Sequence, residues 1–392
     1  MAVETSATLD RIQAIAQEFA ADRAARQQRR NLERVDFDRL ADAGFLLSGV
    51  PSEMGGIWES TAATTRGICE LLRALAHGDS SVALVASMHP AVLCFWLPTL
   101  RAPAPFEAAW EAQRQKVFGW AKEGAWWGTI TSEPGSGGDV ADTKARAQRV
   151  PQGADGTPTA GDFLLSGQKH FGSGSGIASY MITTAVPEGE SDPDWFFLDM
   201  RGVGWAGTIG AKIVAEWNGH GMIATQSHAY QFSDYPATRV AWQGSWRPLS
   251  EVHGGAIGCF FTSVIVGILE TAIETAHQQI QKKRGSLRPF EQVEWARADM
   301  EGWLALQAYE GMLRAIEKTG SAPRDVVRAK TAISELAESA LRRICMILGG
   351  GTYARQGPFG FWYEDVRALG FLRPPWGLAF DRLIDAGTAP PA

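Results

Sequence analysis

A glycine-rich segment in the first half of the chain carries residues that could hold a ligand. Residues 129–139 read T-I-T-S-E-P-G-S-G-G-D, so the hydroxyls of Thr131 and Ser132 stand just before a cluster of glycines. Backbone N–H groups in such a loop can converge on an anion or on the polar edge of a flat ring. A hairpin turn without a ligand has the same composition, so both interpretations stay open. No Gly-Lys-Ser or Gly-Lys-Thr follows, which excludes a Walker phosphate-binding loop.

A second segment, residues 167–176, combines an aromatic ring with small hydroxyl donors. It reads G-Q-K-H-F-G-S-G-S-G and follows a short apolar run that is typical of a strand. The ring of Phe171 and the hydroxyls of Ser173 and Ser175 would together suit a flat heterocycle. Taken alone, this segment too could be an ordinary loop.

Composition and charge narrow the classes of partner. The chain has 392 residues, of which 45% are hydrophobic, and its formal net charge is −6. A chain of this length can bury a large core and has about twice the usual size of one domain. Because the charges are spread along the chain, neither a nucleic-acid-binding surface nor a polybasic membrane patch is expected. Small molecules or other proteins are the expected partners.

Cysteine usage and hydropathy indicate a reducing compartment. The cysteines lie far apart and show no C-x-x-C spacing, which argues against a disulfide framework and a zinc site, and we expect no metal. The start of the sequence is not signal-like, and no apolar run is long enough to predict a membrane span. We therefore expect a cytoplasmic protein.

The hydrophobic period changes twice along the chain. Helical spacing dominates residues 1–117, short β-branched and aromatic runs dominate residues 118–244, and helical spacing returns over residues 245–392. Because no convincing helix separates the runs of the middle part, an antiparallel β-barrel or sandwich is favoured over βαβ units. The sequence predicts an α+β protein: an N-terminal helical domain, a central β domain and a C-terminal helical bundle.

Two long apolar stripes in the last part of the chain predict self-association. One runs from Val266 to Ile280 and the other from Ala329 to Ile347, at spacings of three and four residues. Helices with apolar faces of this length usually pack in a bundle, and a surplus face commonly serves oligomerisation. We expect a homodimer or a homotetramer.

Four segments, in this order, resemble motifs of the acyl-CoA dehydrogenase superfamily of flavoproteins. The strongest is S-E-P-G-S-G-G-D at residues 132–139, which is similar to the family's T-E-P-G-(S/A)-G-S-D loop. Residues 165–174 resemble its G-x-K-x-W-(I/V)-(T/S)-(N/G) segment, and residues 216–225 resemble its L-G-x-R-(A/S)-(S/T) stretch. Residues 347–351 stand where the family has Q-x-x-G-G-x-G. The resemblance covers nearly the whole chain.

This resemblance implies a flavin, FAD with FMN as a possible substitute, between the β domain and the C-terminal helices. The positions that correspond to the family's flavin-binding residues are Thr131, Ser132, Phe171, Ser173, Gly349 and Gly350. The hydroxyl residues correspond to donors to the flavin edge, and the aromatic residue packs on the ring. Two positions at the family's substrate pocket fall on Gly138 and Thr225.

The family also presents an arginine to the FAD pyrophosphate of a neighbouring subunit. The corresponding stretch begins at residue 282 and reads K-K-R-G-S-L, which makes Arg284 the candidate. The alternative is a basic helix end that merely complements the helix dipole.

The residue that usually starts the dehydrogenase reaction is missing. In the family a glutamate abstracts the α-proton of an acyl thioester, which requires a carboxylate in a water-poor site. Counting from Gly349 places Arg373 at that position, and a guanidinium cannot act as a base. Glu251 is the nearest carboxylate to the other position that relatives use, and Glu216 is a further candidate.

Other departures indicate a reshaped pocket. Met346 replaces a glutamine of the family, Gly138 a serine and Pro375 a threonine. Arg373, if it faces the flavin, would favour an anionic substrate or stabilise a developing negative charge. Its alternative is a surface residue ahead of two prolines.

Three functions therefore stay open. The first is an FAD-dependent oxidoreductase that oxidises the Cα–Cβ bond of an acyl thioester, with an electron-transfer partner. The second is a two-component flavin monooxygenase of the same fold, which takes reduced flavin from a partner reductase and needs no carboxylate base. The third is a non-catalytic flavin-binding protein. Histidines that could serve the second function, although each by itself is typical of a structural residue, are His170, His220, His228 and His253.

Overall fold

The computed structural model describes residues 2–99, 101–150, 162–204, 207, 209–372 and 374–388. The helices are α1 Ala2–Ala21, α2 Arg23–Arg26, α3 Arg34–Asp42, α4 Thr61–Gly78, α5 Ser80–Leu93, α6 Glu107–Lys122, α7 Trp246–Val252, α8 Gly254–Lys282, α9 Pro289–Thr319, α10 Pro323–Leu348, α11 Phe359–Gly370 and α12 Trp376–Thr388. The strands are β1 Trp127–Thr129, β2 Arg146–Arg149, β3 Phe163–Gly172, β4 Tyr180–Pro187, β5 Asp194–Asp199, β6 Ala211–Ala215 and β7 His228–Arg239.

Capped helices build the first part of the chain. The Ser60 hydroxyl accepts a hydrogen bond from the Ala63 N–H at 3.1 Å before α4, and Asp79 accepts one from the Val82 N–H at 3.0 Å before α5. Such side chains satisfy N–H groups that the start of a helix leaves unpaired. α5 is buried along its whole length because it packs against α4, α8 and β1. It therefore links the helical parts to the strands.

The strands pair in a closed circuit. β4 pairs with β2, β2 with β3, β3 with β7, β7 with β5 and β5 again with β4, while β1 adds to β4 and β6 adds to β7. A sheet that closes on itself leaves few free edges, as in a barrel. The expectation of purely antiparallel pairing is wrong, because β1 and β2 are both parallel to β4. The chain reverses direction twice between β2 and β4, so these two strands run the same way.

The C-terminal helices bury both apolar stripes. Val266 and Leu269 on α8 and Ile333 and Ile344 on α10 are all buried, and the two helices pack against each other. Contrary to the prediction from the sequence, these stripes are therefore not surplus faces, since they form part of the core of this chain. The oligomeric state stays a prediction. Several of the large apolar side chains that are exposed lie on α9: Phe290, Val293, Met300, Trp303 and Leu304.

By length and composition α8 could cross a membrane, although no membrane span is expected from the sequence. However, 78% of its most apolar window is buried inside the protein. This burial is typical of a core helix.

The first change of structure comes a few residues after the first change of sequence period, and the second coincides with it. Helices give way to strands between Lys122 and Trp127, and strands give way to helices between Arg239 and Trp246. Residue 117 lies inside α6, because the apolar residues that mark the change of period begin in the last turns of this helix, where Val117 is buried. The division into three domains at 117 and 244 remains a proposal.

Candidate functional site

Three distant segments meet at the end of β3. Ser132 forms an isolated bridge with His170, whose N–H donates to the Ser132 carbonyl at 2.8 Å. The Gly174 N–H donates to the Thr225 carbonyl at 2.7 Å. The glycine-rich loop, the end of β3 and the turn before β7 therefore lie side by side.

A buried ion pair holds the glycine-rich loop on the sheet. Lys169, whose side chain is 0% exposed, donates to the Glu133 carboxylate and, at 2.6 Å, to the Thr184 carbonyl. The carboxylate also accepts from the Lys144 N–H at 2.6 Å and from the Thr143 hydroxyl. Burial opposes the charged form of Glu133, but the charge of Lys169 and these hydrogen bonds outweigh it and lower the pKa of the carboxyl. Glu133 therefore stays ionised and fixes the glycine-rich loop to the sheet.

Hydroxyl groups line the same region. The Ser173 Oγ lies 2.7 Å from the Ser227 Oγ, which lies 2.7 Å from the Thr225 Oγ1. Thr225 also donates to the Met222 carbonyl at 2.8 Å. Ser173 and Thr225, which the resemblance assigns to flavin and substrate, therefore belong to one hydrogen-bonded chain.

The rings of Phe171 and Trp217 form an aromatic corner beside these hydroxyls. Phe171 is 57% exposed and has a φ of 59°, which is uncommon for a residue other than glycine. Its ring lies 6.1 Å from the Trp217 ring at 81°. The Trp217 indole N–H donates to the Met222 carbonyl at 2.8 Å, and Gly219 is required because a Cβ there would lie 2.1 Å from the indole. The two rings offer a flat ligand one face and one edge.

A cleft of about 510 Å³ opens beside the aromatic corner. This volume lies in the usual range for small-molecule sites. The lining residues are Arg30, Asn31, Glu216, Trp217, Asn218 and His228.

The glycine-rich loop also contacts the C-terminal part of the chain. A Cβ at Gly138 would lie 2.9 Å from the Pro375 Cγ, so only glycine fits at this position without a shift. Its φ of +87° also favours glycine. This contact brings the predicted substrate position next to the segment to which the sequence resemblance assigns the glutamate position.

A buried lysine fixes the two ends of that segment. Lys330 on α10 donates to the Gly370 carbonyl at 2.6 Å and to the Pro374 carbonyl at 3.0 Å, and its Nζ lies 5.1 Å from the centre of the Trp376 ring. Burial lowers the pKa of Lys330 to about 8. Arg373, which lies between these two carbonyls in sequence, is outside the described residues.

The two carboxylates proposed as bases have different surroundings. Glu251 is exposed on α7, so it lacks the water-poor environment that proton abstraction requires. Glu216 is also exposed but lines the cleft next to Trp217. Of the two, only Glu216 borders the aromatic corner.

The four candidate histidines also differ in whether they border the aromatic corner. His228 borders the corner, because its Nδ1 accepts a hydrogen bond from the backbone N–H of Trp217 at 2.9 Å. Burial lowers the pKa of His228. His253 is buried against Trp58, and burial lowers its pKa to about 4. His170 pairs with Gln168 at 3.1 Å, and His220 is exposed.

The remaining predicted cofactor residues stand at helix ends. Arg284 lies in a short turn after α8 and is exposed. Gly349, with a φ of +81°, and Gly350 follow α10, and a Cβ on either would meet open space. No hydrogen bond among the described residues joins them to Ser132, Phe171 or Ser173. Their assignment to the cofactor stays a prediction.

Sequence reasoning missed several residues of this site. Trp217 lies in the segment 216–225, which resembles a family motif, and its aromatic side chain could have marked it as a site residue. Ser227 and Asp365 offered no local signal, because their partners are distant in sequence. Asp365 on α11 accepts hydrogen bonds from the Met222 N–H at 2.6 Å and from the Ser80 hydroxyl.

No protein-family model matches the chain, and no curated protein matches it in sequence. Solved structures are similar to it over nearly their whole length. Butyryl-CoA dehydrogenase from Megasphaera elsdenii has a TM-score of 0.80 at 16% identity, covering 98% of each chain. The FMN-bound TdsC from Paenibacillus sp. A11-2, a dibenzothiophene monooxygenase, has a TM-score of 0.75 at 18% identity, covering 97% of each chain. The chain has the acyl-CoA dehydrogenase fold.

A third protein with this fold widens the range of chemistry. Nitrososynthase from Micromonospora carbonacea var. africana has a TM-score of 0.77 at 19% identity, covering 99% of this chain and 97% of that one. The acyl-CoA dehydrogenase fold therefore carries a dehydrogenase, a monooxygenase and a nitrososynthase, and it does not by itself fix the reaction.

Proposed function

We propose that the chain binds a flavin, FAD or FMN, with its ring over Phe171 and its polar edge toward Thr131, Ser132 and Ser173. The residues present fit such a group. Phe171 exposes more than half of its surface in a strained backbone conformation, and such strain is typical of functional positions. Ser132 is only half-buried, so its hydroxyl can reach a ligand. The FMN-bound structure of TdsC supports this assignment.

We infer that the reaction is a monooxygenation, with reduced flavin supplied by a separate reductase. The observation that carries this proposal is the missing base. The count from Gly349 along the sequence places Arg373 at the family's glutamate position, and two buried carboxylates near the site are engaged, Glu133 by Lys169 and Asp365 by Ser80. A monooxygenase needs no such base, because the bound flavin supplies the activation of oxygen.

In this reaction the residues of the chain bind, orient and shield. Phe171 and Trp217 would hold the ring system flat, and Ser132 would bind its polar edge. Contact between Gly138 and Pro375 would help to exclude water from the reacting atoms, and Lys330 would keep this closing segment in place. The polar cleft beside Trp217 would admit the substrate.

An oxygen-labelling experiment tests the reaction. The protein is supplied with FMN, NADH, a flavin reductase and ¹⁸O₂, together with a panel of sulfur heterocycles, indoles and amino sugars. We expect ¹⁸O in one product by mass spectrometry, and none with Ser132→Trp, whose bulk should block flavin binding. Product formation by that variant, or no labelled product from any substrate, would contradict the proposal.

Acyl-CoA dehydrogenation is the second candidate. It is favoured by the TM-score of 0.80 with butyryl-CoA dehydrogenase. The base would then have to be Glu216, which lines the cleft but is exposed and so lacks the water-poor surroundings that proton abstraction requires. Anaerobic titration of the FAD-loaded protein with acyl-CoA esters tests this function, since bleaching of the flavin absorbance would support it. If neither bleaching nor labelled product is found, the non-catalytic flavin-binding function gains.

We also propose a homodimer or a homotetramer. Exposed apolar residues along α9, Trp303 among them, would gain from burial in such an assembly. Light scattering that gives the 42.4 kDa mass of one chain at micromolar concentration would contradict it.

A further inference from the structure

Two opposite charges line the cleft beside the aromatic corner, and neither is used inside the protein. Arg30 donates to two uncharged oxygens, the Asn218 Oδ1 and, at 3.4 Å, the Trp217 carbonyl. Arg30 and Glu216, which both line the cleft, form no ion pair with each other or with another charged group among the described residues. One positive and one negative charge therefore remain available to a ligand.

The third ionisable group that lines the cleft is neutral. The His228 Nδ1 accepts a hydrogen bond from the backbone N–H of Trp217 at 2.9 Å. A ring nitrogen that accepts carries no proton, so the imidazole holds its one proton on Nε2 and has no charge. Burial lowers the pKa of His228, and the nearby charge of Glu216 opposes this shift only in part. Among the described residues that line the cleft, Arg30 thus carries the only positive charge and Glu216 the only negative one.

The Trp217 ring is a fixed apolar surface in this polar cleft. Its N–H is occupied, because it donates to the Met222 carbonyl at 2.8 Å, and a Cβ at Gly219 would lie 2.1 Å from the ring. Glu216 precedes Trp217 in the chain, and Arg30 reaches the Trp217 carbonyl, so both charges lie near the same indole. Small-molecule sites are usually lined mainly by apolar side chains. A lining with two unpaired charges therefore favours a charged ligand over a purely apolar ring.

We propose that the cleft binds a zwitterionic small molecule that carries a flat ring, the chemistry of an aromatic α-amino acid. Its ammonium group pairs with the Glu216 carboxylate, its carboxylate pairs with the Arg30 guanidinium, and its ring packs against Trp217. A ligand with only one charge leaves one of the two side chains unpaired, and a polyanion meets Glu216 as a like charge. Binding follows from the cleft alone, whereas the role of this ligand as the substrate rests on the proposed function.

Four indoles that differ in charge test the inference without any assay of activity. L-tryptophan carries both charges, tryptamine only the ammonium group, indole-3-propionate only the carboxylate, and indole neither. Each is titrated into the protein at pH 7 by calorimetry. We expect L-tryptophan to bind about fivefold more tightly than tryptamine and than indole-3-propionate, as one additional ion pair at an exposed site would give. Indole should bind most weakly of the four.

Variants of the two charged residues assign each preference to one side chain. Glu216→Gln removes the partner of the ammonium group, so L-tryptophan and indole-3-propionate should then bind alike. Arg30→Gln removes the partner of the carboxylate, so L-tryptophan and tryptamine should then bind alike. Glu251→Gln and Arg34→Gln change the net charge by the same amounts at exposed residues that do not line the cleft, and both should keep the native preferences.

FMN binding by the same samples, followed by fluorescence, separates this inference from the proposed function. No binding of the indoles, equal binding of all four by the native chain, or native preferences in both Glu216→Gln and Arg30→Gln would overturn the inference. With FMN still bound, each of these results leaves the flavin function standing. A charge preference that follows Glu216 and Arg30 in a protein that binds no FMN would support the cleft and overturn the proposed function.

Discussion

The flavin-edge region and the C-terminal region of the proposed site are built differently. In the flavin-edge region, residues 131–139, 170–176 and 222–228, hydrogen bonds within one chain join every segment to the next. In the C-terminal region, residues 346–376, the residue types at Met346, Arg373 and Pro375 differ from those that the sequence resemblance implies. The part that would hold the ring has the hydroxyl and aromatic residues that the resemblance implies, with Gly138 in place of a serine, while the part that would decide the reaction lacks the glutamate that the resemblance implies. Binding and chemistry should therefore respond to different mutations.

The largest expected effect is a loss of stability caused by a variant in the flavin-edge region. Lys169→Met leaves the Glu133 carboxylate buried without its cation, so the free energy of unfolding should fall by about 3–5 kcal/mol. Urea unfolding followed by circular dichroism measures this loss. The double variant Lys169→Met with Glu133→Gln should lose less, because no buried charge is then left unpaired.

An exposed ion pair provides the control for this variant. Arg314, with a side chain that is 70% exposed, lies 3.9 Å from Glu310. Arg314→Gln should cost less than about 1 kcal/mol. If Lys169→Met lowers the free energy of unfolding no more than this control does, the buried ion pair does not fix the loop to the sheet.

The second effect concerns the residue that joins the two regions. Asp365 on α11 holds the Met222 N–H, and burial raises the pKa of its carboxyl from 3.8 to about 6. Its contribution to stability is therefore complete below the unfolded pKa and is lost as the pH rises through about 6. Asp365→Asn cannot ionise and escapes this loss. Between pH 4 and pH 7 its free energy of unfolding should rise by about 2–3 kcal/mol relative to the native chain.

Denaturant unfolding of both proteins across this pH range provides the measurement. The charged groups near Asp365, which include Arg26, Asp79 and Glu364, are present in both proteins and cancel in the difference. A difference in stability that does not change with pH would contradict the burial of an ionisable Asp365.

The sequence predicted local features well and distant partners poorly. The β-branched and aromatic runs at residues 127–131, 163–165, 180–184, 195–198 and 228–232 predict β1, β3, β4, β5 and β7. No such run marks β2 or β6, because Arg146–Arg149 and Ala211–Ala215 carry mostly exposed side chains. Motif similarity predicted Ser132, Phe171 and Ser173 as flavin-binding residues, and the structure places their segments side by side, while their role stays a prediction. Ser227 and Asp365 escaped prediction because only tertiary contacts give them a role. Closure of the strands also depends on pairings between distant segments, which periodicity does not encode.

The third effect separates ligand binding from stability. The Phe171 ring is mostly exposed, so Phe171→Ala should change the free energy of unfolding by less than about 0.5 kcal/mol. Loss of the ring face should lower the affinity for FMN about tenfold, which corresponds to ~1.4 kcal/mol. Fluorescence titration and thermal unfolding give the two quantities. Phe290→Ala, at a residue 53% exposed on α9, is the matched control and should bind FMN normally. Equal affinities for the two variants would remove Phe171 from the site.

The smallest expected effect tests whether the C-terminal region serves a neighbouring subunit. Arg284, at the end of α8, is proposed to contact the pyrophosphate of a partner's FAD. Arg284→Gln should then weaken FAD about fivefold, close to the ~1 kcal/mol of one hydrogen bond, without changing the affinity for riboflavin, which has no pyrophosphate. Lys283→Gln removes a positive charge from the same helix end and serves as the control, because a role in the helix dipole alone would be shared by both side chains. If the two variants bind FAD alike, Arg284 only complements the helix end. If Arg284→Gln weakens FAD also in dilute samples where light scattering shows single chains, the contact lies within one subunit, and the two regions of the site belong to the same chain.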